Sequence, residues 1–257
     1  MSTDRSIRPD ARGVERADVL DRLRRVDDPE LDRSIVDLEY VEKITIEGRD
    51  VSVTFVLPTA WCSPAFAWMM ATGIRDETAS LPGVESVTVE LRDHMHAAEI
   101  TGGVNECVPF QEAFPDADAG VEAVRRSLDE KARLARQHAA VEELLDAGLG
   151  PEQIVDLTLD QLDRDLKTGR TAVSLRGGAV FAEIDDDPLA DYLEKARDTD
   201  LVTATDDRLF ADPDGDPIER SEFDLVHSRA RSAAVNVDGQ GSVCAALHES
   251  RQEREDG

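Results

Sequence analysis

The 257-residue chain holds only three cysteines, Cys62, Cys107 and Cys244. So sparse and odd a set argues against a disulfide framework and for free thiols in a reducing cytosol. Aromatic residues make up 4% of the chain against 40% apolar residues in all, so the core must be built mainly from Val, Leu, Ile and Ala. Lysine occurs only at Lys43, Lys131, Lys167 and Lys195, which leaves arginine to carry most of the positive charge. No apolar run approaches the ~20 residues needed to cross a bilayer. The opening MSTDRSIRPDARG has no apolar stretch either, so a secretory signal is not expected there.

What is abundant is acid. There are 56 Asp and Glu against 29 Lys and Arg, a formal net charge of −27. Such a surface repels nucleic acid and anionic membranes, which excludes both as expected partners. An acid excess with little lysine is also the composition that stays hydrated in concentrated salt, and salt screens the resulting self-repulsion. A halophilic cytoplasm is the expected setting; an ordinary acidic protein with a disordered tail is the alternative.

Along the chain, GVERADVLDRLRRV places Val14, Ala17, Leu20 and Leu23 at helical spacing, and DDPEL ends that helix because Pro29 disfavours helix at Asp28. YVEKITIEGRDVSVTFVLP reads as a hairpin turning at Gly48. SPAFAWMMATGIRDETASL reads as a helix with Ser63 as N-cap and Pro64 in its first turn. LPGV turns into a third strand carrying Val87, Val89 and Leu91. The expected fold class is α/β (α+β): a small two-layer α-β-β-α-β sandwich, then a helical connector and a C-terminal α+β extension. The domain expectation is 14–110 for the sandwich, 111–150 for the connector and 151–257 for the remainder with its acidic, fraying tail. Residues 103–115 read as irregular and DADAGVEAVRRSLDEKARLARQHAAVEELLDAGLG as a long helix ended by Gly148 or Gly150. PEQIVDLTLDQLDRDL reads as a further helix, TAVSLRGGAVFAEI as a hairpin across Gly177-Gly178, and PLADYLEKARD as a short helix.

If the second and third strands share a sheet, the crossover helix makes them parallel, and their C-terminal ends meet at one rim. Sites on α/β sheets form at such rims. Cys62 follows the second strand and RDHMHA the third. Cys62 precedes a helix N-terminus, whose partial positive charge favours a thiolate; a buried cysteine filling a corner is the alternative. His94 and His96 would share a face if the strand continued through them, and with Cys62 and a returning Cys107 they would make two Cys and two His. That set suits zinc or an iron–sulfur cluster, with two half-exposed surface histidines as the alternative. Asp28, Glu30, Asp37 and Glu39 could serve acid/base chemistry or a hard cation, whereas acids beside proline more often cap backbone N–H groups. DPDGDP, residues 212–217, echoes a calcium loop without its full pattern and reads as a solvated turn. Cys244 reads as a small core residue.

Four pieces in order, DDPEL, IVDL, Thr59-x-x-Cys62 and LPGV followed by a strand, resemble the iron–sulfur cluster assembly domain superfamily, which includes SufT-like and PaaD-like metal–sulfur cluster assembly factors. The resemblance covers about residues 14–92. It implies a non-enzymatic cytoplasmic factor that assembles or delivers iron–sulfur clusters or iron for client metalloproteins, in contact with the assembly machinery. PaaD-like members imply clients of the di-iron oxygenase type. The family cysteine falls on Cys62, its threonine on Thr59, and its acids on Asp28, Glu30 and Asp37. Trp61 and Ser63 stand where the family has Gly and Pro around the cysteine, and DLEYV replaces DLGLV. Trp61 and Trp68 then become candidate client-docking residues, with core packing as the alternative for Trp68. Two other readings stay open: a thiol enzyme with Cys62 as nucleophile and His94 or His96 as base, and a structural zinc module. A homo-oligomer is compatible with each.

Overall fold

The computed structural model describes residues 13–117, 120–165, 167–175, 178 and 180–255. The chain divides into two compact units, one of residues 1–121 with 243–257, the other of residues 122–242.

The first unit contains α1 (Arg16–Leu23), β1 (Asp27–Asp28), β2 (Arg33–Ser34), β3 (Val41–Glu47), β4 (Asp50–Val56), α2 (Pro64–Ala79), β5 (Ser86–Arg92), α3 (Ala97–Asn105) and α4 (Phe110–Ala113). The α-β-β-α-β sandwich is α1-β3-β4-α2-β5, and β1 and β2 form a two-residue ladder around the acidic turn. β3 and β4 pair antiparallel as a hairpin. β4 and β5 pair parallel, Val53 opposite Val89 and Phe55 opposite Leu91. Val51, Val53, Phe55, Val89 and Leu91 alternate into one buried layer, as the two-residue period of a strand requires. α1 and α2 cover that layer with Val19, Leu23, Ala67, Met70, Ala71 and Ile74, all buried.

Within the segment expected to be irregular, 103–115, residues 103–105 complete α3 and Phe110–Ala113 form α4. The reason is the open edge of β5. Asn105 donates from Nδ2 to the Val89 carbonyl and accepts from the Val89 N–H, both at 2.8 Å, and Thr101 Oγ1 accepts from the Leu91 N–H at 3.1 Å. Four residues of helix rise ~6 Å and two of strand ~6.6 Å, so positions 101 and 105 meet positions 91 and 89 in register. The helix thereby satisfies backbone groups that an exposed edge strand leaves open to other chains.

The second unit contains α5 (Val121–Asp146), α6 (Pro151–Val155), β6 (Leu162–Asp165), β7 (Arg170–Leu175), β8 (Val180–Asp185), α7 (Asp186–Asp198) and most of α8 (Phe223–Glu255). β6, β7 and β8 form an antiparallel meander. α5 stops before Gly148, whose φ of +90° suits a glycine C-terminal to a helix. The helix expected as a connector supplies Ala140, Val141 and Leu144 to the same core as Ile154, Tyr192, Leu193 and Phe210.

One expectation fails here. The helix read over 151–166 ends at Val155, because Thr158 and Gln161 form a capping pair (Thr158 N–H to Gln161 Oε1, 2.9 Å) and LDRD then pairs with β7. The last stretch of the chain forms α8. Gly177 and the side chain of Cys244 lie outside the described residues. Among the described residues, no helix is long and apolar enough to cross a membrane.

Candidate functional site

β4 ends at Val56, the buried Leu57 anchors the chain, and Pro58 to Ser63 form the corner that leads into α2. Thr59 Oγ1 accepts from the Trp61 N–H at 2.8 Å, tightening that corner. Ser63 holds the N-cap position without a side-chain hydrogen bond, and Pro64 opens the helix. β5 ends at Arg92 on the same rim, and the chain turns at once into α3, with His96 as its N-cap residue. His94 and His96 therefore lie in a turn and not in the extended strand continuation expected for them.

The two rim loops are tied together. The Met95 N–H donates to the Ala60 carbonyl at 3.1 Å. His94 Nε2 lies 2.9 Å from the Cys62 carbonyl, and His94 Nδ1 accepts from the His96 N–H at 3.2 Å. With Nδ1 accepting, the proton belongs on Nε2, which donates to Cys62. Burial pushes the His94 pKa below its ordinary value, which keeps that neutral tautomer. Both ring nitrogens are thus committed to backbone, and His94 acts as a latch between the loops, with no lone pair left for a metal or a base.

Cys62 is half-buried. Burial raises its thiol pKa, and the charges of Asp28 and Glu30 raise it further, against opposing contributions from the Thr59 N–H and hydroxyl. The expected helix-start thiolate is therefore reversed: the thiol stays protonated at neutral pH. Asp28 itself is buried and accepts at Oδ1 from the N–H groups of Glu30 (2.9 Å) and Leu31 (3.2 Å). Burial raises its pKa, opposed by these bonds and by the Tyr40 hydroxyl. It caps the acidic turn and sets a carboxylate toward Cys62. Asp37 is exposed and paired with Arg24 at 2.7 Å.

Of the four ligand candidates, the structure gathers Cys62, His94 and His96 at one rim. Cys107 is not with them. It follows the far end of α3, about 15 Å of helix from His96 by the rise per residue. There it is exposed, at φ +57°, with Arg75 donating to its sulfur at 3.5 Å.

The two tryptophans differ. Trp61 is 76% exposed, and beside it Met95 is 53% exposed, so an apolar patch borders the thiol. Met95 carries no chemical signal of its own in the sequence, whereas the histidines on either side of it do. Trp68 is buried, edge-on to Phe110 (5.5 Å) and Phe114 (6.1 Å), and a Cβ at Gly103 would lie 2.6 Å from its ring. Trp68 is core, not a docking residue. His96 packs edge-on to Phe114 at 5.4 Å.

A helix, an acidic turn, a thiol at a parallel-sheet rim and a third strand now stand in one order. Residues 16–91 match the iron–sulfur cluster assembly protein family. The resemblance read from the four motifs holds over that stretch. An iron–sulfur cluster carrier protein from Synechocystis sp. is 38% identical over 73 residues, 28% of this chain and 20% of that protein. The chain thus spans about a fifth of the length of this relative. Asp28, Glu30, Asp37, Thr59 and Cys62 fall inside the assembly-type segment, whereas His94, His96 and Cys107 follow it.

The DPDGDP turn is closed by its own atoms, the Asp216 N–H donating to Asp212 Oδ1 at 2.9 Å. It contributes to no grouping of metal-ligating side chains found among the described residues.

Proposed function

We propose that the N-terminal unit carries iron–sulfur clusters, or iron for them, to client metalloproteins in the cytoplasm, with Cys62 as a transient ligand. The observation that supports this most is a half-buried thiol beside exposed Trp61 and Met95, in a segment that matches the assembly family. The cluster is cargo. A cluster site is ordinarily filled by four ligands, mostly thiolates, and the rim offers one thiol, with His96 on the adjoining loop. The remaining ligands come from a second copy or from the client, which makes the hold transient. The raised thiol pKa fits this role: Cys62 rests protonated, which slows its oxidation and alkylation, and a metal displaces the proton when it binds.

The thiol-enzyme reading has less support, because the nearest imidazole is committed to backbone and the neighbouring carboxylates oppose a thiolate. Trp61 and Met95 are the client-docking face. Clients of the di-iron oxygenase type remain part of the proposal through the family resemblance. Anaerobic reconstitution with iron and sulfide tests it on wild type, Cys62→Ala and Cys107→Ala, followed by transfer to an apo-ferredoxin. The expected result is a visible chromophore and transfer that Cys62→Ala abolishes and Cys107→Ala keeps. A chromophore unchanged in Cys62→Ala would overturn it.

A further inference from the structure

A second group of ligating side chains lies in the C-terminal unit, outside the segment that resembles the assembly family. His138 and Glu142 are four residues apart on α5, so they project from one face in successive turns. His227 comes from the start of α8. One ligand atom from each of the three lies within 4.8 Å of the others. His227 Nε2 is 2.7 Å from the Glu142 carboxylate, and the two imidazole rings are 4.9 Å apart.

We propose that His138, Glu142 and His227 form a binding site for one divalent first-row transition-metal ion, zinc being the best match. Two neutral imidazoles and one carboxylate are a donor set that zinc takes with a water in its fourth position. Zinc–ligand bonds of ~2.0–2.1 Å put tetrahedral donors about 3.4 Å apart, so donor atoms that already lie within 4.8 Å of one another have little distance to close.

A His–Glu ion pair alone leaves one feature unexplained. His138 Nδ1 is buried and has no hydrogen-bond partner, a condition that costs free energy unless something supplies the contact. A metal ion in the group gives the His138 ring a role.

The frame is rigid. Phe223 stacks on the His227 ring at 5.7 Å and 10° between planes. One turn further along each helix, Leu134 and Ala135 pack against Ala230 and Ala233, small residues that let α5 and α8 approach closely. Glu142 keeps half of its side chain exposed, which leaves the ion an entry path and room for water.

The test is a cobalt(II) titration of the full-length protein in high salt with excess magnesium, so that the acidic surface does not hold the ion. Displacement by zinc follows. The expected result is one cobalt with a tetrahedral visible band that persists when Cys62 and Cys107 are both replaced by Ala, and is displaced by zinc. His138→Ala and His227→Ala should weaken it more than about 100-fold, and Glu142→Gln by about 10–100-fold. Circular dichroism reports whether each variant folds. If the histidine variants do not, Glu142→Gln on its exposed carboxylate decides. No cobalt uptake, or a band of equal strength in wild type and Glu142→Gln, overturns the site.

Discussion

Replacing His94 by Phe keeps a ring of similar volume and removes both bonds of the latch. The Cys62 carbonyl loses its donor at 2.9 Å and the His96 N–H its acceptor at 3.2 Å. An orphaned buried group costs about 1–3 kcal/mol. Cys62 and His96 are only half-buried, so water restores part of each, and the net loss should be about 2 kcal/mol. That corresponds to a roughly thirtyfold drop in the protection of the rim loop against local opening. Hydrogen exchange by mass spectrometry on a peptide spanning residues 93–97 reads it directly, because the Met95 N–H bonds across to Ala60 in the closed rim. Acid should reproduce the effect in wild type. The folded His94 pKa is depressed, so the unfolded or open state binds the proton more readily. The latch contributes fully above the ordinary histidine value of about 6.5 and is lost as pH falls through the folded value. A proton on Nδ1 would also face the His96 N–H, donor against donor. Wild type should therefore lose rim protection on acidification, and His94→Phe should not. His138 is depressed in the same direction, so the difference between wild type and variant isolates His94. Unchanged exchange in His94→Phe at neutral pH, or the same acid response in both proteins, would refute the latch.

Trp68→Ala should destabilise the N-terminal unit by about 3–5 kcal/mol, whereas Trp61→Ala should move stability by less than about 0.5 kcal/mol and still impair transfer to a client; thermal melts and the transfer assay separate the two. Asp28→Asn retains an acceptor for Glu30 and Leu31 and removes a carboxylate whose folded pKa is raised. The wild-type contribution is present below the unfolded carboxylate value and lost as pH rises through the folded one, so the variant should gain on wild type toward neutral pH. It should also react faster with iodoacetamide at Cys62, since one opposing charge is gone. Arg164→Ala removes two bonds of 2.6 and 2.7 Å from the buried Asp186 and leaves it only the Thr171 hydroxyl among its side-chain donors, which should cost about 3 kcal/mol in urea denaturation of the second unit. A net charge of −27 should make the melting temperature fall steeply when salt is withdrawn; a flat response would remove the halophilic reading.

The sandwich was legible because its signals are local and periodic. Alternation in VSVTFV and VESVTVEL, Pro64 at a helix start and the LPGV turn each specify an element without help from distant residues. The order of those elements then forces Cys62 and His94 to one rim. What the sequence did not show depends on contacts between segments far apart. Thr101 and Asn105 look like poor helix interior until the open edge of β5 gives their side chains partners. LDRD, read as part of a helix, becomes a strand because β7 offers a ladder. The charge state of Cys62 is hidden from the sequence for the same reason. The helix start alone argues for a thiolate, but burial and the acidic turn folded back beside it outweigh that dipole. His138, Glu142 and His227 show the limit most plainly. The H-x-x-x-E spacing on α5 is visible in the sequence, yet its third member stands 85 residues beyond Glu142, and only the packing of α8 on α5 makes the three a group.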